Sequence, residues 1–187
     1  MKTNRKQVIV LIESDFYEHE IAYYQQRFPQ EGIDLHFMSR LWGQPQLVFY
    51  GHEQKKPLTC NESFEQIDDE MLKSVQAVIV PAGYVADRLR YTEDINTLPP
   101  AVEFMKRVFA NSHITKGIIC HGLWLLSPAP DLVRGRRVVV HNNLLGDAAN
   151  MGAIYVNQDV VVDGDLVTAR TGDHCQVFTE ALLAQMA

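Results

Sequence analysis

The sequence predicts an α/β doubly wound sandwich, a mostly parallel sheet with helices on both faces. Seven short apolar runs rich in Val and Ile point to it, as do the helical patterns lying between several of them. The runs are 8–12, 35–38, 77–80, 117–119, 137–140, 160–162 and 166–168. None shows the polar alternation of a half-exposed strand, so each suits a strand covered on both sides. The helical patterns are 15–30, 99–110, 144–151 and 173–186. Asp15-Phe-Tyr-Glu18 and Asp173-His-Cys-Gln176 have the spacing of a capping box and predict helix N-termini. Gly32 predicts the first helix's end. Asp163-Gly164 predicts a hairpin between the last two strands. Residues 47–50 read as an extra edge strand and 53–63 as a polar excursion.

The chain of 187 residues, 47% hydrophobic, suits one domain over 1–187. Its net charge of −6 argues against a nucleic-acid scaffold, because phosphate binding needs clustered Lys and Arg. No apolar run is long enough for a membrane span. The basic start, Met1-Lys-Thr-Asn-Arg-Lys, precedes an apolar stretch too short for a secretory signal. Three widely spaced cysteines fit neither a disulfide framework nor a zinc site, so a reducing cytoplasm is expected. Cys60 reads as strand packing and Cys175 as the first turn of the last helix. No metal-ligand spacing and no nucleotide loop appears, so neither a metal nor a cofactor is expected.

Ligands of open parallel sheets bind beyond the carboxyl ends of the strands. Acids 13–20 follow the first run, Pro81-Ala-Gly83 the third, Cys120-His121-Gly122 the fourth and His141 the fifth. A strand ending in Cys, then His-Gly and the apolar turn Leu123-Trp-Leu-Leu126, has the form of a nucleophile elbow. A helix N-terminus there would favour thiolate over thiol. Gly122 would let the turn pack closely on the neighbouring strand.

These pieces together resemble the PfpI/ThiJ family, the intracellular-protease-I-like branch of the class I glutamine amidotransferase-like superfamily. The resemblance runs from Val8 to about Leu182 and is weakest across 41–66. It is carried by Phe16-Tyr-Glu-His-Glu20, Val78-Ile-Val-Pro-Ala-Gly83, Asp87-Arg-Leu-Arg90, Gly117-Ile-Ile-Cys-His-Gly122, Asn150-Met-Gly-Ala153 and Val161-Val-Asp-Gly-Asp-Leu-Val-Thr-Ala-Arg170. It implies a flavodoxin-like three-layer fold, Cys120 as nucleophile, His121 as its histidine and Glu20 as the acid hydrogen-bonded to the thiol. A carboxylate beside a thiolate is unfavourable unless one is protonated, so the pair would titrate together. The resemblance further implies that the N–H groups of Gly83 and His121 bind an oxyanion. It also implies that Asp87 reaches the histidine of a neighbouring subunit, making a homodimer or higher oligomer necessary for a complete site. His141 stands where the family often carries an aromatic hydroxyl.

Tyr17 replaces a second acid of the family, Leu123 and Trp124 make the expected pocket bulkier, and Arg170-Thr-Gly-Asp173 lacks the family's proline. The implied activity is Cys-dependent chemistry on small reactive carbonyls or glycation adducts, glyoxalase-III-like or deglycase-like. The alternatives are a thiol-oxidation stress sensor without turnover and an intracellular cysteine peptidase. A glutamine amidotransferase is disfavoured, because His174 is followed by Gln176 where that triad has Glu.

Overall fold

The computed structural model describes residues 5–186; the first four residues of the basic start and Ala187 lie outside them. The apolar runs become β1 (Gln7–Leu11), β2 (Asp34–Ser39), β6 (Val75–Val80), β7 (Thr115–Ile119), β10 (Val160–Asp163) and β11 (Leu166–Ala169). Three shorter strands, β3 (Leu47–Tyr50), β4 (Pro57–Cys60) and β5 (Glu62–Ser63), lie between β2 and β6. The main sheet has the order β10-β11-β7-β6-β1-β2-β5. All its pairs are parallel except the β10–β11 hairpin. Residues 8–11 of β1 are at most 1% exposed, as a strand at the centre of a doubly covered sheet must be. Each such aliphatic side chain stabilises the fold by ~1.5–3 kcal/mol through burial.

Helices α1 (Glu18–Gln30) and α6 (Cys175–Gln185) pack on each other, with α1 on β2 and α6 on β7 and β11. Between them in sequence lie α2 (Asp69–Leu72), α3 (Val85–Leu89), α4 (Pro100–Phe109) and α5 (Leu145–Asn150). Helix α4 packs against the turn that follows β7. The predicted sandwich is the observed fold.

Several local expectations are corrected. Asp15 does not cap α1: it adopts φ +63°, and its carboxylate pairs with Arg88 and, at 3.1 Å, with Lys55. Tyr17 takes the N-cap place without a side-chain bond, which puts Glu20 in the first turn of α1. Asp173 does not cap α6 either, because a 3₁₀ turn, Gly172–His174, precedes that helix. Residues 47–50 do not edge the main sheet; β3 pairs antiparallel with β4 in a separate ribbon. The polar excursion contains β4 and β5, and β5 is the true edge. Run 137–140 yields only β8 (Arg137–Val138), paired with β9 (Ile154–Tyr155) outside the main sheet. The hairpin loop is Gly164-Asp165, one residue later than expected, because Asp163 pairs with Leu166. Gly32 does end α1, at φ +70° with its N–H on the carbonyl of Pro29. Cys60 packs in β4, its thiol donating to the carbonyl of Phe37.

Candidate active site

The chain turns left-handed at the end of β7. Cys120 has φ +60°, a conformation that costs a non-glycine residue energy and persists only where its surroundings enforce it. The residues that follow, Cys120–Leu126, wind as a 3₁₀ helix rather than an α-helix. Gly122 is required there: a Cβ would lie 2.7 Å from the carbonyl oxygen of Val80. The turn therefore seats directly against β6, as a nucleophile elbow does.

Across from it, Gly83 follows β6 at φ +91°, where a Cβ would sit 2.2 Å from the Asp15 carbonyl oxygen. The loops after β1 and β6 thus touch backbone to backbone, and Tyr84 N–H donates to that carbonyl. The loop bearing His52 and Glu53 is held by Glu18, whose carboxylate accepts from the N–H groups of Glu53 (3.0 Å) and Gln54 (2.7 Å). The outcome is a cleft of about 340 Å³ at the carboxyl ends of the strands. Its lining includes Cys120, His121, His141, Gly83, Tyr17 and Thr171.

Cys120 Sγ lies 3.2 Å from His121 Nδ1. Burial, then the nearby Glu20 charge, push the thiol up to about 11, while the N–H groups of His121, Gly172 and Gly83 facing the sulfur pull it down. The expected resting thiolate is therefore corrected to a resting thiol. A 3₁₀ turn and three N–H groups do not offset the loss of water. His121 is lowered, first by its own burial and then by His141, whose ring centroid is 4.5 Å away. It stands as a neutral imidazole at pH 7, able to accept the thiol proton. His141 Nδ1 accepts the N–H of Asn143 at 3.2 Å, which leaves Nε2 to carry the proton in the neutral ring.

Glu20 is completely buried. Its oxygens accept from Tyr24 Oη (2.6 Å) and Ala82 N–H (2.9 Å), not from the thiol, so the expected Glu20–thiol hydrogen bond is corrected to a charge interaction. Burial pushes Glu20 up to about 8 against both hydrogen bonds. At neutral pH it holds a proton, and its repulsion of the sulfur is then absent.

Trp124 does not line the cleft. It stands behind His121, edge-on at 5.1 Å, and so supports the imidazole rather than closing the pocket. Tyr17 lines the cleft and donates to Asp173 Oδ1 at 2.6 Å. Asp87 is not brought to Cys120 within the chain: half exposed, it pairs with Arg90 at 2.9 Å on a neighbouring open cleft. Among the described residues no group of three or more His, Cys, Asp or Glu side chains is arranged to hold a metal ion.

Sequence reasoning missed Tyr24, Thr171 and Gly172. The Glu20–Tyr24 spacing of four on a helix was a signal for the first. For the other two, β11 is parallel to β7, and the residues just past its carboxyl end border the same crevice.

The sequence matches the DJ-1/PfpI family over residues 6–185. It is 30% identical over 179 residues to protein/nucleic acid deglycase 2 of Escherichia coli, covering 95% of this chain and 96% of that one. It is 30% identical to a deglycase of Pyrococcus abyssi (87% and 89% covered). A Bacillus subtilis protein provisionally named a cysteine protease is 28% identical over 184 residues (95% and 96%). Among solved structures, the fold matches DJ-1 of Schizosaccharomyces pombe with TM-score 0.77 at 20% identity, covering 97% and 92%. It also matches a two-domain protein of Anabaena variabilis with DJ-1/ThiJ/PfpI-like and ferritin-like domains, with TM-score 0.83 at 22% identity. This chain accounts for 97% of its own length and 48% of that protein's in the match.

Proposed function

Because the chain belongs to the DJ-1/PfpI family, we propose that it is a cysteine-dependent enzyme acting on small reactive carbonyls or early glycation adducts. The observation that carries this reading is Cys120 at φ +60° with its sulfur 3.2 Å from a neutral His121. His121 Nδ1 takes the thiol proton as sulfur adds to the carbonyl carbon. The carbonyl π pair moves onto oxygen, which then collects that proton, giving a hemithioacetal with nothing left over. The N–H groups of Gly83, Gly172 and His121 that face the sulfur also border the oxyanion formed two bonds away, on the attacked carbon. Net hydration of methylglyoxal gives lactate; hydrolysis of its amine adduct gives lactate and the free amine.

Two deglycase relatives support the small-carbonyl branch, and so does the modest size of the cleft. A peptidase would need an extended groove. A peroxide sensor needs an ionised thiol at rest, which burial of Cys120 opposes. Self-association belongs to the proposal: Asp87, half exposed and paired within the chain with Arg90, would face the His121 of a second copy. Three unbridged cysteines suit a reducing cytoplasm. The test is methylglyoxal loss by wild type and Cys120→Ala at pH 7, with lactate measured as product. Loss confined to wild type is expected; equal rates would overturn the reading.

A further inference from the structure

Two side chains that the chemistry above leaves unused stand directly behind one wall of the cleft. Thr171 lines that wall next to Gly172, whose N–H faces the nucleophilic sulfur. In the 3₁₀ turn that follows, residues three apart lie one above the other. Thr171 Oγ1 and His174 Nδ1 therefore meet at 2.8 Å. On the far side of the ring, His174 Nε2 is 3.5 Å from Asp159 Oδ1. Asp159 is shared with Arg170 Nε at 3.3 Å, and Arg170 also binds Tyr155 Oη and the Gln158 carbonyl. The guanidinium thus ties the chain around β9 and β10 to the end of β11.

This order biases where the protons sit. The Asp159 carboxylate, 3.5 Å from Nε2 and so in charge contact rather than hydrogen-bonded, favours the ring tautomer that carries its proton on Nε2. In the neutral ring Nδ1 then carries a lone pair, and the Thr171 hydroxyl must donate to it. That leaves Thr171 oxygen lone pairs turned away from His174, with no proton to offer. Thr171 becomes an acceptor whose direction is set from behind. The other charged side chains lining the cleft, apart from its imidazoles, are Glu53 and Asp173, which are acceptors too.

Resting on the carbonyl chemistry proposed above, we infer that Thr171 is a specificity-determining residue. It accepts a hydrogen bond from a hydroxyl or amino group on the carbon next to the reacting carbonyl. The favoured substrates are 2-hydroxy or 2-amino carbonyl compounds rather than simple aldehydes. His174 and Asp159 are positioning residues that keep the Thr171 proton out of the cleft.

The test does not need turnover. Cys120 is alkylated with iodoacetamide in the presence of 2-hydroxypropanal or propanal, and labelling of the Cys120 peptide is followed by mass, relative to the rate without aldehyde. Wild type should be protected at roughly 5-fold lower concentration of 2-hydroxypropanal than of propanal, the worth of about one hydrogen bond. Thr171→Val should bring the ratio close to one, Thr171→Ser should retain it, and His174→Ala should lower it. Equal protection of wild type by the two aldehydes, or an unchanged ratio in Thr171→Val, would overturn the assignment. Turnover of methylglyoxal without this selectivity would sink the Thr171 inference alone. Selectivity without turnover would sink the enzymatic reading and leave the subsite standing.

Discussion

Replacing Glu20 by glutamine keeps the side chain's shape and removes the one carboxyl that is completely buried among the described residues. The amide oxygen can accept from Ala82 N–H and the amide NH₂ can donate to Tyr24 Oη, so neither partner is orphaned. In the folded protein Glu20 is raised from the ordinary 4.5 to about 8, chiefly by loss of water. The folded state therefore holds this proton more tightly than the unfolded chain does. Its contribution to stability is full below 4.5, declines as pH rises, and is gone above about 8. A gap of roughly 3.5 on the pH scale, at about 1.4 kcal/mol each, corresponds to as much as about 5 kcal/mol. Glu20→Gln should match wild type near pH 4.5 and become more stable than it by pH 9.

The assay is urea unfolding of both proteins from pH 4.5 to 9. At about 2 kcal/mol per molar urea, the midpoints should separate by up to roughly 2.5 M at the alkaline end. Other titrating groups, such as Asp15 and Asp165, shift both curves alike and cancel in the difference. Midpoints that stay parallel across the range would mean that Glu20 is ionised throughout, and the account of the site's protonation would fail with it.

Two further expectations concern the thiol and the sheet. Alkylation of Cys120 against pH should show a midpoint above that of a free cysteine, about 8.5, and Glu20→Gln should move it down by removing the carboxylate that repels the thiolate; a midpoint below 8 in wild type would contradict the burial argument. Beneath the β10–β11 hairpin, fully buried Lys116 donates to Asp165 at 2.6 Å and to the Asn111 carbonyl at 2.8 Å, while Asp165 also holds Arg136 at 2.8 Å. Asp165→Asn strands a buried ammonium and should cost about 3–5 kcal/mol in chemical denaturation, whereas Lys116→Met, which leaves Asp165 its arginine, should cost distinctly less.

The main-sheet strands were legible because strands buried on both faces are mostly apolar, and β1, β6, β7 and β11 announce themselves that way. Cys120 and His121 were legible for a related reason: the sheet's topology fixes which ends of the strands carry chemistry before any side chain is placed. Run 137–140 misled because its apolar residues cover the core from outside the sheet, which composition cannot separate from strand burial. Asp15 and Asp173 misled because a capping box describes only local bonding. Arg88 and Lys55 hold the first and Tyr17 the second, partners 156 residues apart in the last case.

Protonation was beyond the sequence altogether. Whether position 120 rests as thiol or thiolate, and whether Glu20 keeps its proton, depends on how much water the packed helices and loops exclude. The sequence by itself determined which chemical groups meet at the edge of the sheet. The tertiary structure decided the charge each group carries there, because burial is a property of the whole fold and not of any stretch of chain.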